Sequence, residues 1–415
     1  MSTTNNKCKN IIIITSDFLP TPSANGVCAF NLSKVLMERG YSVDVISNRK
    51  CHQKKIEILD DITIHRVPVQ LIAQFIKNKK LQILVLRINL MLHFFMYPLV
   101  SIFEMFRYIH IVNRTIRKKE ITILLAINNP LVGCLSGVFS KRKFKERLKF
   151  VLYDVDSFSN TLEGRFISLP KKKKMMWKWE KMIFSSADLA IVMQNHKEHY
   201  YQERYRQFNH KIKIANFPML YTHLSNKQRQ PTKYRTTKCV YLGTLSQTYR
   251  NPKIVCDLFS KISNVNLSFL GKIDDSETII RKYSEETRGR IHHGGMVSFL
   301  QGQESLQNAD ILISIGNRDS DMVPSKTFEY ISFCKPIIHF YTFKEDPVIP
   351  TLDKYPIALL LDASESIQAL VDKTKDFLSA NIGKTVDPKM IRELFYENTP
   401  EYSIDLIENC LLNHQ

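Results

Sequence analysis

Short apolar runs alternate with stretches of helical periodicity along most of the 415 residues. Asn10–Ser16 is a continuous apolar run of the kind a parallel strand buried on both faces requires. A loop carrying Pro20 and Pro22 follows, and then a helix from about Gly26 to Arg39. Val27, Phe30, Val35 and Leu36 supply its apolar positions, and Gly40 stands at its expected stop. Tyr41–Ser47, Ile62–Pro68, Ile121–Ile127, Lys149–Val155, Ala187–Met193 and Lys211–Phe217 repeat the strand signal, with helical segments between most of them. After residues 218–237, polar and without periodicity, the alternation restarts. Cys239–Leu245, Val265–Gly271, Arg290–Met296, Asp310–Gly316 and Pro336–Tyr341 read as strands, and Asn251–Pro252 as a cap and first-turn proline opening a helix.

Two such β-α trains predict an α/β fold of two doubly wound, Rossmann-like domains, 1–217 and 238–390, joined by the linker 218–237. A helical tail, 391–415, follows them. Ligands of such sheets bind at the carboxyl ends of the strands, and the cleft between two facing domains is the expected site.

Charge separates the halves. Residues 1–215 hold 36 Lys and Arg against 16 Asp and Glu, whereas 216–415 hold 23 against 24. A cationic half implies a polyanionic surface met by one face, either nucleic acid or an anionic leaflet. No helix-turn-helix, zinc-finger or RNA-recognition pattern supports the first. Two basic clusters, Lys141–Lys149 and Lys171–Lys181, favour the second, the latter because Trp177, Trp179 and Phe184 interleave its cations. Residues 83–112 are apolar, but their longest uncharged stretch, Ile88–Phe103, falls short of the ~20 residues a spanning helix needs. An interfacial or buried helix pair is expected there, with Phe94, Phe95, Tyr97, Phe103 and Phe106 as its bulk. The eight cysteines show no Cys-x-x-Cys spacing, and no signal-peptide core follows Met1. Both point to the cytoplasm.

The richest chemistry lies between Gly316 and Pro336. A strand ends, a polar loop carries Asp319 and Asp321, and Pro324 introduces a helix near Ser325. Free amides at that start, with Ser325 and Lys326, form an anion site. Glu329 follows one turn later, where a carboxylate suits a pair of sugar hydroxyls better than a phosphate. Seven residues separate Asp321 from Glu329.

On these residues the chain resembles the retaining glycosyltransferases of the GT-B fold, in the group-1 (family 4) class, which carry two acids, usually both Glu, at this junction and spacing. The resemblance implies that Asp321 meets the donor sugar and Glu329 the nucleotide ribose. Tyr330–Pro336 resembles the usual end of that helix. Ser16–Gly26 resembles the family's N-terminal loop, with Asp17, Asn25 and Gly26 near a phosphate or the acceptor. Val240–Leu245 resembles the opening of the second domain, with Gly243 in place, Thr244 where the family has Arg, and Arg250 near its Lys and able to neutralise a diphosphate. Gly294–Val297 and Ala309–Asp310 resemble the approach to the acidic loop. The family's His near the donor sugar has no counterpart beside Asp154 and Asp156, so Asp156 is either a catalytic acid or a loop-orienting one.

The implied activity moves a sugar from a nucleotide-diphospho-sugar to a saccharide or polyprenyl-linked acceptor, at the inner face of the cell membrane, in capsule, O-antigen or exopolysaccharide assembly. The donor is a substrate, and neither cofactor nor essential metal is expected. The two Asp-x-Asp sequences, 154–156 and 319–321, are read as loop acids. His292–His293 and His196-x-x-His199 lack partners at a zinc spacing. A nucleotide-sugar epimerase, a non-catalytic subunit and a nucleic-acid binder are the alternatives. The tail is expected to return to the first domain.

Overall fold

The structure is a computed structural model describing residues 10–20, 23–50, 53–68, 78–96, 102–116, 122–128, 130–155, 169–221, 236–317 and 323–412. It divides into two compact units, 1–218 with 400–415, and 219–399.

The first unit is built on an eight-stranded sheet. Its strands are β1 (Asn10–Ile14), β2 (Ser42–Arg49), β3 (Ile56–Leu59), β4 (Ile62–Pro68), β5 (Thr122–Ile127), β6 (Leu148–Asp154), β7 (Leu189–Met193) and β8 (Ile212–Ala215). They lie in the order β3-β4-β2-β1-β5-β6-β7-β8, all pairs parallel except β3 with β4. All of β1 and β5 is buried, as strands covered by helices on both faces must be. The apolar runs therefore marked the central strands well. β3 was not expected. It is a short edge strand joined to β4 through Asp60 and Asp61, both at positive φ (50° and 63°), as a two-residue primed hairpin turn requires. Residues 83–112 contribute two helices, Lys79–Met96 and Ile102–Ile116. Among the described residues no helix is long and apolar enough to cross a membrane.

The last helix, Pro400–Leu411, belongs to this unit. Arg39 Nη1 donates to Asp405 Oδ1 and Glu408 Oε2, both at 2.7 Å, Tyr41 Oη donates to Glu408 Oε1 at 2.8 Å, and Tyr153 Oη lies 2.9 Å from Ser403 Oγ. The return begins at Pro400 rather than at 391. The helix Pro388–Leu394 stays with the second unit, where the Val386 amide donates to the Cys334 carbonyl at 2.9 Å.

The second unit holds a wholly parallel six-stranded sheet of β9 (Thr237–Leu242), β10 (Val265–Leu270), β11 (Ile291–His293), β12 (Ile311–Ile315), β13 (Ile337–Tyr341) and β14 (Ala358–Asp362). Its order, β11-β10-β9-β12-β13-β14, reverses between β9 and β12. The carboxyl ends of these two strands are thus where such a sheet opens a crevice for a ligand. β9 stops at Leu242 rather than Leu245, and β11 is a three-residue strand beyond which Gly294 still donates to the Phe269 carbonyl at 2.9 Å and Gly295 turns the chain at φ +83°. The helix after β9 starts at Lys253 with Pro252 in the cap position, and Asn251 Oδ1 accepts the Lys253 amide at 2.9 Å. Cap and proline are displaced by one residue from their expected places.

Candidate functional site

Three glycines shape the carboxyl edge of the second sheet from β9 outward to β11. Gly271 has φ +116°, and a Cβ there would stand 2.4 Å from the Gly243 carbonyl oxygen. Only glycine serves both demands. The Gly271 amide donates to the Gly295 carbonyl at 2.9 Å, and His293 Nε2 lies 2.8 Å from the Gly271 carbonyl. Gly243, Gly271 and Gly295 thus line the ends of β9, β10 and β11 with bare backbone. Gly271 escaped the sequence reading, where it passed as the last residue of a strand.

Beyond Gly243 the chain makes a tight excursion closed by reciprocal amide bonds between Ser246 and Arg250. Arg250 is half-buried, and its Nε donates to Asn317 Oδ1 at 2.7 Å. Tyr241 lies below, donating to the Thr244 carbonyl at 2.9 Å. Burial pushes the Tyr241 hydroxyl up to about 12, with Arg250 pulling the other way. The tyrosine thus stays a neutral prop under the guanidinium. Thr244 is exposed and takes part through its carbonyl, so it brings no second positive charge beside Arg250.

The helix Ser325–Ser332 begins after Pro324, whose side chain offers its first amides no cap. Amides at such a start suit an outside anion. Glu329, one turn in, is 4% exposed. Its Oε1 accepts from Gln303 Nε2 at 2.6 Å, and Gln303 is held by a helix, Phe299–Asn308, that a Ser298–Gln301 capping box starts. Oε2 lies 2.5 Å from Lys326 Nζ but accepts no directed hydrogen bond. The pair is an ion pair, and together with the Gln303 bond it leaves part of the carboxylate's acceptor capacity open to hydroxyl donors. Gln303 and Asn317 are the site residues sequence reasoning missed. A lone amide side chain has no motif, and only the fold sets each against an acid or an arginine.

A cavity of 580 Å³ opens in the second unit. Gln247, Tyr249, Asn251, Gly316, Phe340 and Thr342 contribute to its wall. Arg250, Ser325, Lys326 and Glu329 do not line it, although Tyr249, Asn251 and Gly316 adjoin the Arg250–Asn317 bridge. A Cβ on Gly316 would meet Asp346 Oδ2 at 2.2 Å, so glycine keeps this edge open. The structure thus joins Arg250 to the Gly243 turn and Glu329 to Lys326. Asp321 and Asp319 lie outside the described residues.

In the first unit, Asp17 Oδ1 accepts from both the amide and the hydroxyl of Ser23, at 2.7 and 2.9 Å. This braces the proline loop against the helix Ala24–Glu38, where Asn25 is half-buried and Gly26 buried. Asp156 lies outside the described residues. Asp154, read from the sequence as a loop acid, is instead fully buried at the end of its strand, taking hydrogen bonds from Asn128 Nδ2 and from Tyr200 Oη. Two donors that only the folded sheet brings there draw it inward. Trp177 and Trp179 pack against the core of the first unit. Trp177 meets Tyr205 edge-on at 5.1 Å, with Arg204 over its ring. His292 Nε2 lies 3.0 Å from Ser268 Oγ and His199 Nε2 lies 2.7 Å from Tyr205 Oη. Among the described residues no cluster of three or more His, Cys, Asp or Glu is arranged for a metal.

This arrangement of two α/β units has counterparts among solved structures. A glycosyltransferase from Rickettsia africae superposes with a TM-score of 0.58 at 13% identity, covering 98% of this chain and 99% of its own. The fold is GT-B. An S. aureus TarM mutant in complex with Fondaparinux, alpha-GlcNAc-glycerol and UDP gives a TM-score of 0.54 at 13% identity, with 97% and 100% covered. A putative UDP-N-acetylglucosamine 2-epimerase from Listeria monocytogenes gives 0.53 at 11%, with 97% and 96% covered. No protein-family model and no curated protein sequence matches the chain.

Proposed function

We propose that this GT-B chain is a retaining glycosyltransferase. It moves a sugar from a nucleotide-diphospho-sugar to a saccharide or polyprenyl-linked saccharide, in capsule, O-antigen or exopolysaccharide assembly at the inner face of the cell membrane. The observation that carries this reading is Glu329, a buried carboxylate with unused acceptor capacity beside a helix start that Pro324 does not cap. A nucleotide matches both features, its ribose hydroxyls donating to Glu329 and its diphosphate meeting the amides of Ser325 and Lys326. Arg250 supplies the second positive contact. Its Nε is taken by Asn317, which fixes the plane of the guanidinium and presents the Nη groups to phosphate.

Departure of the nucleoside diphosphate breaks the bond between the anomeric carbon and the phosphate oxygen. The charge that develops there is stabilised by the helix start and Arg250, electrostatic assistance already in place before reaction. The acceptor hydroxyl attacks the same face and yields its proton to the leaving phosphate, so no protein nucleophile is needed. Asp321 meets the donor sugar. The charge provided by Arg250, Lys326 and the helix start makes a metal unnecessary. The cationic first half faces an anionic membrane carrying the acceptor.

The likeness to a putative 2-epimerase favours one second reading, rearrangement of the sugar on its nucleotide. Asp321 and Thr244, where the resemblance calls for Glu and Arg, leave room for it. Incubation with UDP-, GDP- and ADP-sugars separates the two. Nucleoside diphosphate released only with a saccharide acceptor supports transfer, and an isomerised nucleotide-sugar formed without acceptor supports epimerisation.

A further inference from the structure

A second cavity, of 820 Å³, lies in the first unit between the outer edge of the sheet and the helix Ile102–Ile116. Its charges are mostly of one sign. Lys55, Arg107 and Arg114 line it, with His110 among them, and the acid on its wall, Asp44, lies 3.0 Å from His65 Nε2. Arg66 is already neutralised by Glu57, 3.1 Å away, and Arg107 spends one nitrogen on the Pro68 carbonyl at 2.7 Å. Lys55, His110 and Arg114 are exposed.

The rim is apolar. Phe103 and Phe106 line the cavity while 55% and 61% exposed, and Ile56 joins them from β3. Next along β3, Ile58 and Leu59 are exposed too. On the helix Lys79–Met96, Leu81, Leu84, Ile88 and Met91 form an exposed stripe at helical spacing, with Lys79, Lys80 and Arg87 also exposed. Aromatic rings left in water around a cationic hollow mark a surface built for something both anionic and apolar.

We propose that this cavity takes the phosphate headgroup of an anionic phospholipid drawn from a bilayer, with its chains lying over Phe103 and Phe106. The basic helix Leu169–Ser186 is not the anchor, because Trp177 and Trp179 are committed to the core. Charge complementarity selects the lipid over a neutral amphiphile. The apolar rim selects it over free phosphate or a nucleic acid, which would leave the rings in water.

Flotation with vesicles of phosphatidylcholine, alone or mixed with phosphatidylglycerol, tests the site. Wild type should float with the mixed vesicles only. Lys55→Ala and Arg114→Ala should each weaken partitioning about fivefold, and about 25-fold together. Phe103→Ser with Phe106→Ser should abolish it at an unchanged unfolding midpoint, since both rings are exposed. Lys173→Ala with Lys174→Ala should change little. An equal loss from that pair would mean diffuse charge and overturn the site, as would tighter binding to RNA than to vesicles. Soluble dihexanoyl-phosphatidylglycerol should raise the unfolding midpoint where inorganic phosphate at the same concentration does not. Equal shifts, or none with either, would overturn the lipid assignment. UDP binding, read separately, tests the donor site, so failure of either reading shows independently.

Discussion

Replacing Glu329 by Ala deletes the carboxylate on which the donor reading turns. Two effects must be separated. For stability, the loss takes the 2.6 Å acceptor from Gln303 Nε2, a half-buried donor that water can partly satisfy, at about 1 kcal/mol, the low end for a donor left without its acceptor. Lys326 is spared, because its side chain is 38% exposed and water can replace its partner. The buried charge also disappears, and the relief of its desolvation offsets part of that cost. A net loss of at most about 1 kcal/mol lowers the unfolding midpoint of a unit this size by no more than roughly 2–4 °C. For binding, a hydrogen bond to a charged acceptor contributes about 1.5–3 kcal/mol, so the Kd for the cognate nucleoside diphosphate should rise about ten- to hundredfold. Titration calorimetry with UDP, GDP and ADP reads this directly. The matching ribose-deoxy nucleotide should bind wild type as weakly as the mutant binds the parent, and should lose little further on the mutant. An unchanged Kd, or a loss equally large for parent and deoxy nucleotide, would refute the assignment of Glu329 to the ribose.

Other consequences follow from the same geometry. Arg250→Ala should lower kcat/KM for transfer about a hundredfold or more by removing a charge that acts on the leaving group, whereas Asn317→Ala, which only frees the guanidinium, should cost less; steady-state kinetics with the cognate donor compares them. Chelation with EDTA should leave the rate unchanged, and full loss restored by Mg²⁺ would show that Arg250 and the helix start do not suffice. Gly271→Ala should destabilise by more than ~1 kcal/mol in urea, because φ +116° and a Cβ 2.4 Å from the Gly243 carbonyl oppose it together. His199 is held down to about 4, chiefly by burial, with Arg204, His196 and Lys173 adding positive charge. Its neutral form is the one the fold accepts, so its contribution is intact above the unfolded value near 6.5 and is lost as pH falls from there toward 4. The urea midpoint should drop between pH 6.5 and 5, and His199→Gln should flatten that drop.

Much of this was legible in the chain. Ile11–Ile14 and Leu124–Ile127 can only be strands covered on both faces, since runs so apolar have no side to turn to water. The Gly40 stop and the restart at residue 239 carried the same kind of local signal, and the alternation of strands and helices implies parallel sheets because a crossover must bridge them. Glu329, Pro324 and Ser325 were legible because a helix start is written in consecutive residues. β3 was missed because an edge strand needs no continuous apolar run, and its exposed Ile56 and Ile58 looked like surface.

Only the tertiary structure decided the pairings. It turned Asp154 inward between Asn128 and Tyr200, 26 residues before it and 46 after it in sequence. It set Gln303 against Glu329 and Asn317 against Arg250, and brought Arg39 to Asp405 and Glu408 across more than 360 residues. The sequence by itself determined the elements and the residue types that could do chemistry, because helix, strand and cap are governed by neighbours along the chain. Which acid is spent on structure and which keeps unused lone pairs is a matter of which donors lie within about 3 Å, and that distance is set by packing between segments far apart in sequence.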